Sequence, residues 1–188
     1  TASALFWFLL LLITIAELFM PFIVYVIAPG FIEDTEKFNL TITLTRIAFP
    51  YLLFMSLVAL ISGILNSIGK FTAAASLPIV LNTVLIFFLI IIKELNIPNT
   101  PVAAKYLISG VFISGALQLL LIVYVCKKTE YLPNIRIPKL TPDVKKFLFL
   151  GFPAIIAGGI TQINLLIGSI IASFENGAIS YLYYADRI

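Results

Sequence analysis

The chain has 188 residues, 61% of them hydrophobic and 11% charged, with a formal net charge of +3, a pI near 9.0 and a mean hydropathy of +1.12. An average globular chain carries about 45–50% apolar and about 25% charged residues, so a water-soluble fold of this composition would expose apolar patches that soluble monomers avoid. The absence of His and the single cysteine, Cys126, exclude imidazole triads, His-ligated metal, an internal disulfide and CxxC sites.

The apolar runs are continuous, whereas barrel strands alternate over about ten residues. The sequence therefore reads as an all-α polytopic membrane protein. Runs at 3–29, 40–65, 71–92, 102–126 and 147–174 each exceed the roughly 20 residues that cross about 30 Å of hydrocarbon. They predict five full transmembrane helices, and 178–188 predicts the start of a sixth. The chain reads as an internal fragment of a longer polytopic protein. Pro50, Pro78 and Pro153 fall inside runs and predict kinks or breaks. Thr141-Pro142-Asp143 is a helix-start signal, with a capping hydroxyl, a first-turn proline and an acid on the dipole. It predicts a short surface helix leading into the fifth span. Gly151, Gly158 and Gly159 suggest that this span packs closely or flexes.

Charge gives an orientation. Loops 66–70 and 127–146 carry seven Lys or Arg, against three Lys and five acids in the other loops and their flanks. The positive-inside rule makes these two basic loops cytoplasmic. The basic residues flank apolar runs, so they suit anionic lipid head groups, and no nucleic-acid partner is expected. There is no P-loop and no GxGxxG, so neither nucleotide hydrolysis nor dinucleotide binding is expected.

Glu17, Arg46, Asp186 and Arg187 lie within runs. A charge at the bilayer centre costs at least about 2.5–3.5 kcal/mol, so each is a candidate site residue. Arg187 lies ten residues beyond Gly177, about 15 Å at 1.5 Å per residue, near the midplane. Its planar fork suits phosphate or carboxylate, as a ligand or in a structural ion pair. Tyr183, one turn earlier, shares its face. Asp186 could bind a cation, pair with another span or hold the helix start. Glu17 could be a protonated hydrogen-bonding link or take part in transport. Arg46 could snorkel outward or line a cavity. Asn164 shares a face with Thr161 and Gly168, as interhelical glue or as part of a polar lining. Without His or a metal cluster no catalytic constellation forms, so the reading is a transporter rather than an enzyme, with no cofactor and no metal.

Three stretches carry a resemblance. Ala28-Pro29-Gly30-Phe31, Thr45-Arg46-Ile47-Ala48-Phe49-Pro50-Tyr51 and Gly63-Ile64-Leu65-Asn66-Ser67 together resemble the MurJ (MviN) family of lipid II flippases. Gly151-Phe152-Pro153-Ala154-Ile155 resembles the start of that family's seventh helix, and Tyr183-Tyr184-Ala185-Asp186-Arg187 resembles its eighth. The resemblance implies a fourteen-helix, two-bundle transporter of the multidrug and oligosaccharide-lipid exporter superfamily, here represented by helices three to seven and part of eight. It implies alternating-access movement of the lipid-linked peptidoglycan precursor from the inner to the outer leaflet of the bacterial inner membrane. By the same match Arg187 would hold the diphosphate, with Asp186 and Tyr183 beside it. Some members bind sodium through an acid on the seventh helix. The stretch from Asn164 to Ser173 holds no acid, so no metal is assigned, and coupling to membrane potential or a monovalent cation stays open.

Two further readings remain at this level. One keeps the fold and changes the cargo, to another undecaprenyl-diphosphate-linked oligosaccharide or a drug. The other is a non-transporting membrane scaffold for cell-wall synthesis proteins.

Overall fold

The computed structural model describes residues 2–98, 100–129 and 142–186. Among these the chain forms eight α-helices and no strand. They are α1 (Ala2–Leu18), α2 (Met20–Ile27), α3 (Thr35–Ala48), α4 (Tyr51–Ser67), α5 (Thr72–Glu94), α6 (Pro101–Lys127), α7 (Pro142–Ala172) and α8 (Ala178–Ala185), with a 3₁₀ turn at Pro29–Phe31. Four segments are long and apolar enough to cross a membrane: Thr35–Ser67, Thr72–Glu94, Pro101–Lys127 and Gly151–Ala172. Counting α1 and α2 as one broken span gives five.

The first apolar run is not one helix. It is interrupted at Phe19, whose φ of −98° and ψ of 18° leave the helical region. Pro21 explains the weak point, because it has no N–H to offer the Glu17 carbonyl four residues earlier. The second run starts earlier than its hydropathy suggests, at Thr35, and is interrupted at Phe49–Pro50. Turn bonds from the Leu52 amide to the Phe49 carbonyl (3.0 Å) and from Leu53 to Pro50 (3.1 Å) carry the chain into α4. Pro78 and Pro153, by contrast, sit inside uninterrupted helices. Among the described residues no break divides a surface helix from the fifth span, since α7 starts at Pro142 and runs on unbroken. The expected cap Thr141 and the loop cations Arg136 and Lys139 lie outside the described residues.

Within the described residues the chain divides into two compact units. One comprises Leu18–Thr43 with the α7–α8 region; the other comprises Ala2–Glu17 with the region from Leu44 through α6.

In the second unit, α4, α5 and α6 share an apolar core of Val58, Ile61, Leu65, Leu77, Ile122 and Cys126. Cys126 is fully buried, as a small core residue. Small residues on α6 allow the close approach that drives helix association where lipid is as apolar as the side chains. Gly110 faces the Phe88 ring of α5, and Gly115 faces Tyr51 and Phe54 of α4. Both α4 and α5 end in a left-handed residue. After α4, Gly69 (φ 76°) lets the Lys70 amide reach the Leu65 carbonyl at 2.9 Å. After α5, Asn96 (φ 47°) lets Ile97 reach Ile92 at 3.0 Å. These bonds satisfy carbonyls that a helix end would otherwise leave open.

In the first unit, the turn after α2 is clasped to the end of α7. The Gly30 amide donates to Ser173 Oγ at 3.0 Å, and that hydroxyl donates to the Ile170 carbonyl at 2.7 Å. Ser173 is buried. Lys37 Nζ lies 4.1 Å from the Phe31 ring centroid and donates to Asn176 Oδ1 at 3.4 Å. Asp34 Oδ1 accepts the Lys37 amide at 3.0 Å and so caps α3. The glycines expected to mark close packing on α7 do not do so here. Among the described residues a Cβ at Gly151, Gly158 or Gly159 meets nothing within 4 Å, whereas one at Gly168 would touch Leu182 of α8 at 3.2 Å.

Two glycines have different reasons to be glycine, and this separates their expected costs. At Gly30 a Cβ would overlap the main chain of Ser173 and Phe174, which cannot move aside as a side-chain tip can. Gly30→Ala is expected to cost about 1–3 kcal/mol by overpacking. At Gly69 a Cβ meets nothing within 4 Å, so Gly69→Ala is expected to cost only the left-handed backbone penalty of about 1–2 kcal/mol. Thermal unfolding of the purified protein measures both. Suppression of the Gly30→Ala defect by Ser173→Gly would not be expected, because the overlap is with the backbone.

Candidate functional site

The five candidate residues that the structure describes fall in three places. Glu17 lies in the last turn of α1 and Arg46 in the last turn of α3. The structure brings these two together: Arg46 Nε lies 3.9 Å from Glu17 Oε2, and Arg46 Nη2 donates a long 3.5 Å hydrogen bond to the Glu17 main-chain carbonyl. Their side chains are 47% and 30% exposed. Glu17 Oε1 is enclosed, with no hydrogen-bond partner among the described residues. The sequence presents Glu17 and Arg46 as separate candidates; the fold makes them partners.

Tyr183 and Asp186 lie at the end of α8. Tyr183 is exposed, and its ring meets Tyr184 edge-on at 6.3 Å and 70°. Asp186 is exposed and closes the helix through its amide, which donates to the Leu182 carbonyl at 3.0 Å. Arg187 lies outside the described residues. Asn164 is exposed on α7, one turn before Gly168, which packs on Leu182.

A cavity of about 400 Å³ lies along α5 and α6, lined by Ser76, Ile79, Thr83, Leu117 and Leu121 among others. It is almost wholly apolar, and none of the five described candidates lines it. Its surface suits a hydrocarbon chain or another helix rather than a charged group. Among the described residues no group of three or more Cys, Asp and Glu side chains is arranged to hold a metal.

Sequence reasoning missed Ser173, which looks like one more serine near a helix end. Its only signal is the neighbouring turn: Ala28-Pro29-Gly30-Phe31 asks for a close approach at the glycine, without saying by what.

Apolar helices long enough to span a bilayer, with interruptions at Phe19 and Phe49–Pro50, and an ion pair held between helix ends define a polytopic α-helical membrane protein. Residues 1–188 match in full the family model described as "Lipid II flippase MurJ". The chain belongs to the MurJ family. It is 47% identical over 187 residues to the "Probable lipid II flippase MurJ" of Rhizobium tropici, covering 99% of this chain and 35% of that protein. It is 42% identical over 180 residues to the protein of that name from Rickettsia prowazekii, covering 96% and 34%. It is 33% identical over 192 residues to the "Lipid II flippase MurJ" of Burkholderia cenocepacia, covering 100% and 36%. The chain thus spans about a third of the length of the curated relatives it matches.

Proposed function

We propose that this chain is the section from the third helix to the first part of the eighth of a fourteen-helix, two-bundle flippase of the bacterial inner membrane. Its cargo is lipid II, the polyprenyl-diphosphate-linked peptidoglycan precursor, moved from the inner to the outer leaflet by alternating access. The observation that carries this reading is the family match over residues 1–188, with relatives named as lipid II flippases. The basic loops 66–70 and 127–146 face the cytoplasm, as the positive-inside rule requires.

Arg187 holds the diphosphate in this reading. It lies ten residues beyond Gly177, about 15 Å into the membrane if the helix continues. A guanidinium presents two parallel N–H groups to two phosphoryl oxygens and stays protonated at any working pH. In an environment of low dielectric that pairing is stronger than in water. Tyr183 offers a hydroxyl one turn away, and Asp186 sets the local charge. The transport cycle then needs only a cavity that opens to each leaflet in turn, with no covalent chemistry.

The test is complementation. Arg187→Ala and Arg187→Lys are placed in the full-length protein in cells depleted of their own flippase, with membrane levels checked. The Ala variant is expected to accumulate normally, fail to support growth and leave the precursor on the inner leaflet. The Lys variant is expected to be intermediate. Losing one charge-assisted hydrogen bond costs about 1.5–3 kcal/mol, roughly ten- to a hundredfold in affinity. Full rescue by Ala would remove Arg187 from the site.

A further inference from the structure

The Glu17–Arg46 contact has three properties that a cargo ligand does not need. First, both partners stand in the last turn of a helix that stops at a break: α1 ends at Leu18 and α3 at Ala48. Secondly, Arg46 contacts both the carboxylate and the main chain of Glu17. The Glu17 carbonyl is the one that Pro21, lacking an N–H, cannot pair four residues on. A cation at a helix C-terminus also complements the negative end of the dipole. Thirdly, exposure inside a span is exposure to lipid, protein or a cavity rather than to bulk water. A lone carboxylate or guanidinium there is costly, and a pair is far less so.

We infer that Glu17 and Arg46 form an intramembrane ion pair that caps the broken end of α1 and ties it to the last turn of α3, so that Arg46 is a positioning residue and not a ligand of the transported molecule. Arg46 acts through α1: it donates to the Glu17 carbonyl that the break leaves there and sets its charge 3.9 Å from Glu17 Oε2. The cargo charge is then met elsewhere, and Arg46 is spent on the fold.

Removing one member of such a pair strands the other charge, whereas removing both strands neither. The test uses the full-length protein with Glu17→Gln, Arg46→Gln and the double variant. Melting temperature in nanodiscs is read alongside the rate of precursor transport in vesicles. Each single variant is expected to lower the melting temperature. The double variant is expected to recover at least half of the loss, because the two glutamine side chains it carries can hydrogen-bond as a neutral pair. In the transport assay the singles are expected to lose maximal rate while the precursor concentration for half-maximal rate stays within about twofold, since no contact to cargo is lost. Arg46→Lys, which keeps the charge, is expected to retain more of both than Arg46→Gln.

Three results would overturn the inference. One is a double variant no better than Arg46→Gln alone. Another is an unchanged melting temperature in both singles. The third is a tenfold or larger rise in half-saturating precursor with Arg46→Gln, which would make it a ligand. If the singles do not accumulate, steady-state membrane levels of the singles and the double give the same comparison. The rate arm rests on the flippase reading, but the melting arm does not. A wild-type protein that transports no precursor would sink that reading and leave the ion pair to be judged on stability.

Discussion

Hydrocarbon offers no hydrogen bonds, so each backbone N–H and C=O of a spanning helix has to find its partner inside the protein. The fold of this chain follows from how it meets that requirement where its helices stop. Where α4 and α5 leave the membrane the chain turns through left-handed Gly69 and Asn96, and the following amides close back on the Leu65 and Ile92 carbonyls inside the spans. After α3 the amides of Leu52 and Leu53 reach the Phe49 and Pro50 carbonyls. At the end of α1 the amide that would ordinarily serve the Glu17 carbonyl is missing, because Pro21 cannot donate. A side chain from another helix, Arg46, reaches it.

The same constraint accounts for the packing chemistry. Association in a membrane gains little from burying apolar surface, so close van der Waals approach and hydrogen bonds between elements carry more of it. In the unit built on α4–α6 this takes the form of Gly110 and Gly115 under aromatic rings, with Ser114 and Gln118 buried beside them. In the unit built on the α2–α3 connection and α7–α8 it takes the form of a main-chain approach at Gly30 and Ser173, reinforced by the serine hydroxyl. Large apolar side chains such as Phe8, Leu18, Ile79, Phe87, Ile160 and Ile171 stay exposed, a surface that suits lipid or further helices and would be untenable in water.

Charge is scarce in the spans, and its few instances divide by role. The Glu17–Arg46 pair is internally balanced, which fits a structural task at a helix break. Asp186 and Arg187 stand at the far end of the chain. In the proposed flippase Arg187 is left for a diphosphate, which brings its own negative charge to the site. This division matters for reading membrane transporters generally: an intramembrane arginine is a site candidate by default, and an acid within reach of it is the first thing to look for.

Much of this architecture is legible in the sequence because it depends on local properties. Run length and hydropathy identify the apolar segments that form the long helices at 72–94 and 101–127. Five short segments, at 28–31, 45–51, 63–67, 151–155 and 183–187, carry the resemblance to the family that the match over residues 1–188 shows. What the sequence could not determine is which in-run proline breaks a helix. Pro78 and Pro153 do not, and Pro50 stands at an interruption, although each removes the same backbone hydrogen bond to the residue four before it. Nor could it pair Glu17 with Arg46. Glu17 is thirteen residues before position 30 and Arg46 seven after position 39, about 20 Å and 10 Å along straight helices, depths that do not match. The interruption at Phe19 ends α1 next to Glu17, and a straight-helix count cannot include it. Composition and pattern decided that this chain lives in a membrane and to which family it belongs. Only the tertiary structure decided which of its charges are already used, because pairing depends on where helices stop and what stands opposite their ends.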